Sequence, residues 1–144
     1  MLIEEALYTL LSTDADIVEI VADRIYPVTM PELEKGKTFY PALLFTLTNR
    51  ERQQTHNGPT PLVRSHFTLS CIGPRYFVVK GLAQAVRIAL NGKSTALSAI
   101  YEDLVKGIFL EDEDDEYLFD EVEALSLYHV PLNFVIQHWE TLTA

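Results

Sequence analysis

Leu62-Val63-Arg64-Ser65-His66-Phe67-Thr68-Leu69-Ser70-Cys71-Ile72 alternates with a period of two: Val63, Phe67, Leu69 and Cys71 share one face, and Arg64, His66, Thr68 and Ser70 share the other. That pattern predicts a β-strand with one side on a core and the other toward water. Upstream, from Pro41, Leu43, Phe45 and Leu47 alternate with Ala42, Leu44, Thr46 and Thr48, which predicts a partner strand. The intervening stretch from Asn49 to Pro61 is polar and rich in turn residues, and it reads as a long, mobile hairpin loop. Downstream, residues 104 to 111 supply a third strand. Leu125 to Trp139 supply a fourth, with Tyr128, Val130, Leu132, Phe134 and Ile136 on one face. Pro131 lacks an N–H and so places that strand at an edge or a bulge.

Around these strands the period changes to that of a helix. Ile3, Ala6, Leu7, Leu10 and Leu11 form the stripe of an amphipathic helix over residues 2 to 12. Ser12, Thr13 and Asp14 then offer capping side chains to a shorter helix with Ile17, Ile20 and Val21 on one face. Arg24 to Pro27 reads as a short extended piece, and residues 28 to 40, with Lys35, Gly36 and Lys37, as an exposed loop. Gly73-Pro74 closes the decisive strand. After it Val79, Leu82, Ala83, Val86 and Leu90 keep helical spacing up to Asn91-Gly92, a pair suited to a helix C-terminus. The expected architecture is therefore α+β: a mainly antiparallel four-stranded sheet with helices packed on one face, in a single domain over residues 1–144.

Bulk properties narrow the function. At 144 residues, 48% apolar and 22% charged, the chain is sized and composed for one hydrophobic core. Its longest apolar stretches, Pro41 to Leu47 and Val130 to Ile136, are far shorter than the roughly 20 residues of a membrane helix. The acidic start Met1-Leu2-Ile3-Glu4-Glu5 does not resemble a secretory signal, so synthesis inside a cell, with no membrane association, is the expectation. One cysteine, Cys71, fits a reducing compartment. With 21 acidic against 11 basic residues, a formal charge of −10, ordinary nucleic-acid binding is disfavoured. The same charge suits a surface that nucleic acid must pass without adhering.

Motifs for chemistry are weak. Asn91-Gly92-Lys93-Ser94-Thr95 imitates the end of a phosphate-binding loop, but Arg87 stands where the first glycine belongs and a helix, not a strand, leads in. It reads as a helix cap followed by a loop. The run Glu111-Asp112-Glu113-Asp114-Asp115-Glu116 lacks the central glycine of a calcium loop, and a solvated or lumen-facing acidic loop accounts for it better. His56, His66, His129 and His138 are too dispersed for a zinc pattern, although His66 and His129 lie on strands and could approach across the sheet. Cys71 falls on an apolar face, where a thiol is inert. No catalytic residue, cofactor or metal is expected.

The candidate functional residues are instead those of an interface. Arg50 and Arg52, with His56 and Asn57, share one exposed loop, and Arg64 and Arg75 add to the basic group; Lys35 and Lys37 occupy another loop. Asp112, Asp114, Asp115 and Glu116 supply the opposite charge. In a head-to-tail ring two different surfaces of one subunit meet, so opposite charges at its two ends would favour closure. Solvated loop arginines are the alternative.

Glu4-Glu5-Ala6-Leu7-Tyr8-Thr9-Leu10-Leu11, Asp23-Arg24-Ile25-Tyr26-Pro27, Tyr40-Pro41-Ala42-Leu43, Phe67-Thr68-Leu69-Ser70-Cys71 and Ala85-Val86-Arg87 together resemble the tail-completion family of long-tailed bacteriophages, also called tail terminator or tail-to-head joining proteins. The likeness spans nearly the whole chain, in order, and departs from the family in the acidic segment 111 to 123. It implies a small α+β subunit of a phage or prophage, made in the bacterial host cytoplasm. Such a subunit assembles with itself as a ring, commonly a hexamer, on the end of the tail tube and joins it to the head-completion or connector protein. It implies no catalytic residues. Six copies would gather about sixty formal negative charges around passing DNA. The competing readings are another connector or tail-tube component, an acidic module that mimics nucleic acid and binds a basic partner, and an enzyme of unrecognised type.

Overall fold

The strand at 62–72 lies at the centre of a sheet that is larger than the alternation alone predicts. The computed structural model describes residues 2–28, 40–55, 58–101, 104–120 and 125–139. Its elements are α1 (Ile3–Thr13), α2 (Ala15–Val21), β1 (Ile25–Pro27), β2 (Ala42–Thr55), β3 (Gly58–Gly73), α3 (Tyr76–Leu90), α4 (Ser94–Ile100), β4 (Val105–Glu113), β5 (Glu116–Asp120) and β6 (Leu125–Trp139). The sheet has six strands in the order β1-β2-β3-β6-β4, with β5 also on β6. All pairs are antiparallel except β1 with β2. Two strands raise the expected count of four: β1, formed by the extended piece at Ile25–Pro27, and β5.

The alternating side chains meet as their register requires. Phe67, Leu69 and Cys71 stand opposite Phe134, Leu132 and Val130, and none of the six is more than 1% exposed. Onto this face α1 lays Ile3, Ala6, Leu7 and Leu11, and α3 lays Val79, Leu82, Ala83, Val86 and Leu90. α2 starts where Asp14 accepts from the N–H groups of Asp16 and Ile17, both at 3.1 Å. Arg24 ties the helical layer to the sheet: its Nε donates to the Pro41 carbonyl at 2.8 Å, and its own carbonyl accepts from the Leu43 N–H at 3.0 Å.

Four expectations are corrected. The stretch 49–61 is no long loop: β2 and β3 stay paired through Thr55 and Gly58, and the rungs Gln54–Pro59 and Thr55–Gly58 project past the end of β6. The segment after Gly92 is a helix, α4, with Leu97 buried. The acidic run is strand rather than loop. Glu113 pairs with Leu132 and Glu116 with His129, so β4 and β5 form one edge line in a single register, interrupted at Asp114 and Asp115.

Pro131, opposite that interruption, explains it. Its carbonyl accepts from the Asp114 N–H at 3.4 Å, and in an antiparallel strand the N–H and C=O of one residue point to the same side. The missing proline donor therefore faces the break. β6 is a central strand and not an edge, and the irregularity falls on its neighbour.

Candidate assembly surfaces

One face of the sheet carries the described helices; the other carries none of them and is mainly polar, with Phe109, 52% exposed, as an apolar exception. Across it Thr68 Oγ1 donates to Asn133 Oδ1 at 2.6 Å, and Asn133 Nδ2 donates to Asp112 Oδ1. His66 lies 3.3 Å from Glu51 and 3.9 Å from Glu111, and His129 Nδ1 lies 2.9 Å from Glu116. The two histidines do not approach each other: His66 is registered with Val135 and His129 with Ile72, six residues apart along β6 and so about 20 Å distant.

The pleat divides the acidic run between two faces. Asp112 and Glu116 join the bare face through Asn133 and His129. Glu113 and Asp115 turn toward α3, where Asp115 accepts from Tyr76 Oη at 2.7 Å and from Lys80 Nζ at 3.1 Å. These bonds hold the Asp115 carboxyl below its ordinary value, through Tyr76 first and Lys80 second, and raise Tyr76 and Lys80 above theirs. Glu113 lies 3.7 Å from Lys80 and 3.5 Å from Arg87. Asp114 is exposed at the strand break. Among the described residues no group of three or more His, Cys, Asp or Glu side chains is placed to hold a metal ion.

Arg50 is engaged inside the chain. Its guanidinium donates to Glu4 Oε1 at 2.6 Å and to Ser65 Oγ at 3.1 Å. Ser65 and His138 are 0% and 1% exposed, with Ser65 Oγ 2.8 Å from His138 Nε2, and His138 Nδ1 is 3.2 Å from the Trp139 carbonyl. Ser65 Oγ thus accepts from Arg50 and shares a hydrogen bond with His138, whose other ring nitrogen faces the Trp139 carbonyl. Composition hinted at none of this, because Ser65 and His138 occupy core-facing places in their strands. The pair resembles a nucleophile and its base, but neither side chain reaches solvent. Its evident service is to satisfy buried polar atoms. Cys71 is likewise sealed, and burial pushes its thiol well above the ordinary value.

Of the remaining candidates, Arg52 is exposed on β2, opposite Val63. Lys35, Lys37, His56 and Asn57 lie outside the described residues.

Sequence reasoning passed over two apolar surfaces. On α3, Phe77 is 85% exposed and Ile88 57%, and with Gly81 and Gln84 they form one stripe at spacings of four, three and four. A Cβ added to Gly81 would meet nothing within 4 Å. This mid-helix glycine therefore has no steric reason within the chain to forgo the roughly 1 kcal/mol that alanine would contribute. A groove of about 330 Å³ runs beside the stripe, bordered by Lys80, Arg87 and Glu113. The second surface is a groove of about 570 Å³ between α1 and β1, lined by Glu4, Glu5, Tyr8, Ile25, Pro27 and Phe45. Both were legible only as exceptions: Phe77 and Tyr8 are large rings on the polar sides of amphipathic helices.

With this geometry in place, the chain can be set beside known proteins. No family model matches it, and no curated protein matches its sequence. A solved structure does match: a chain in the virion of a native gene transfer agent (GTA) particle superposes with a TM-score of 0.62 at 18% identity, over 94% of this chain and 93% of that one. The two chains share a fold. The match extends over nearly the full length of both, so it takes in helices and sheet alike.

Proposed function

We propose that this protein is a structural component of a phage-like virion, which forms a ring on the end of the tail tube, stops its growth and joins it to the head. The observation that carries the reading is the likeness of fold, over nearly the whole of both chains, to a chain of a GTA virion. The order of short segments that resembles the tail-completion family narrows it from virion component to tail terminator. One further feature supports it. The net charge of −10, with Glu111, Asp112 and Glu116 on or beside the bare sheet face, suits a wall past which DNA moves without adhering.

The test is tail-tube polymerisation followed by electron microscopy, with and without the purified protein. A terminator gives shorter tubes, with extra density at one end. Tubes that grow longer, with the protein along their length, would make it a tube subunit. Tubes unchanged in length with bare ends would overturn the reading.

A further inference from the structure

We infer that the segment from Asn91 to Ser98 guards the outer edge of β4, keeping it from pairing with a strand of a second copy of this chain. β4 lies at the edge of the sheet, and such an edge offers unpaired N–H and C=O groups to any extended segment. Register decides which of them face outward. The Asp114 N–H bonds the Pro131 carbonyl, so Pro131, Asn133 and Val135 direct their backbone groups toward β4, while Phe134 and Ile136 direct theirs toward β3. Ile108 and Leu110, registered with Ile136 and Phe134, therefore turn their own groups away from the sheet. Each has one of them met from the turn between α3 and α4: the Gly92 N–H donates to the Ile108 carbonyl at 3.1 Å, and Asn91 Oδ1 accepts from the Leu110 N–H at 3.1 Å. One residue of a parallel neighbour would make the same two bonds, to residues two apart. Asn91 and Gly92 together thus stand where a rung of such a strand would lie. Gly92 reaches this position at φ +72°, in the left-handed region that glycine enters without strain. At the start of the strand, Ser98 Oγ accepts from the Val105 N–H at 3.3 Å. Past Leu110, acid and irregularity take over: β4 continues through Glu111, Asp112 and Glu113, shifts register between Leu110 and Asp112, and breaks at Asp114 and Asp115. Charge and broken register are what sheet edges use against pairing. A second copy's strand meets an edge whose outward groups are engaged at Val105, Ile108 and Leu110 and whose side chains beyond are acidic.

The double variant Asn91→Ala with Ser98→Ala uncovers the edge in the full chain, and Ser65→Ala, which loosens the core within β3, is the control. Hydrogen exchange of the Leu110 and Val105 amides is expected to be slow in the parent chain and about tenfold faster or more in the double variant. By light scattering at matched concentration, the double variant is expected to form species larger than the parent's, in which those two amides regain protection, while Ser65→Ala keeps the parent's mass. Asn91→Ala alone serves the same comparison should the double variant not fold. An uncovered edge that leaves the parent's mass unchanged would overturn the inference. Equal association of Ser65→Ala would also overturn it, by tracing association to lost stability. Fast exchange of the Leu110 amide in the parent chain would overturn it without recourse to any variant.

Discussion

Residue-scale chemistry is clearest at Ser65 and His138. Both are buried and hydrogen-bonded to each other, so truncating either removes a buried bond. Ser65→Ala is expected to cost about 1–3 kcal/mol, and His138→Ala, which also opens a cavity, about 2–4 kcal/mol, both measured by denaturant unfolding. A double variant costing clearly less than the sum would locate the coupling in this bond. Asp115 gives a second prediction. Its folded carboxyl value is lowered, so the Tyr76–Asp115–Lys80 cluster contributes stability above the ordinary carboxylate range, and that contribution is lost as pH falls through the folded value. An NMR titration should place the Asp115 midpoint below the usual value of about 3.9 and move it upward in Tyr76→Phe. An unmoved midpoint would show that Tyr76 does not hold the proton balance. Neither arrangement could be seen beforehand, because each joins residues distant in sequence: Ser65 with His138, and Tyr76 with Asp115.

At the scale of elements, the sequence was readable wherever a core imposed a period. α1, α3, the inner half of β2, and β3, β4 and β6 each carry an apolar face that must be covered, and each lies close to where its pattern placed it. What lacked such a face escaped. The arm of β2 and β3 is polar and projects past β6, and β5 follows β4 across a break that only the position of Pro131 explains. α4 has a single fully buried residue, Leu97, too little to announce a helix. The junction of β3 with α3 is tighter than composition alone indicates. A Cβ at Gly73 would stand 2.9 Å from Val79 Cγ2 and 3.4 Å from Pro41 Cβ. Gly73→Ala is therefore expected to destabilise the fold by about 1–3 kcal/mol, read from the shift in the urea midpoint. By contrast Gly81→Ala, with nothing to strike, should stabilise the isolated chain by up to about 1 kcal/mol. Opposite signs at two glycines would distinguish packing within the chain from space kept at its surface.

At the scale of the whole molecule, among the described residues one layer of helices covers one face of the sheet, and the other face is mainly polar and acidic, with Phe109 exposed on it; in a ring of the proposed kind that face can turn toward the passage. Two of the residues expected at an interface from their charge are engaged within the chain. Arg50 is bound to Glu4 and Ser65, and Asp115 to Tyr76 and Lys80, whereas Phe77, Gly81 and Tyr8 occupy the exposed apolar surfaces. Charge is conspicuous in a sequence; the far side of an amphipathic helix is not.

The measurement that tests the account most directly is the solution mass of the protein by light scattering, alone and mixed with short tail-tube segments. The account predicts one discrete closed species, several subunits in mass, in the mixture if not already in the protein alone. A chain that remains monomeric at high concentration and leaves the tube segments uncapped would contradict it.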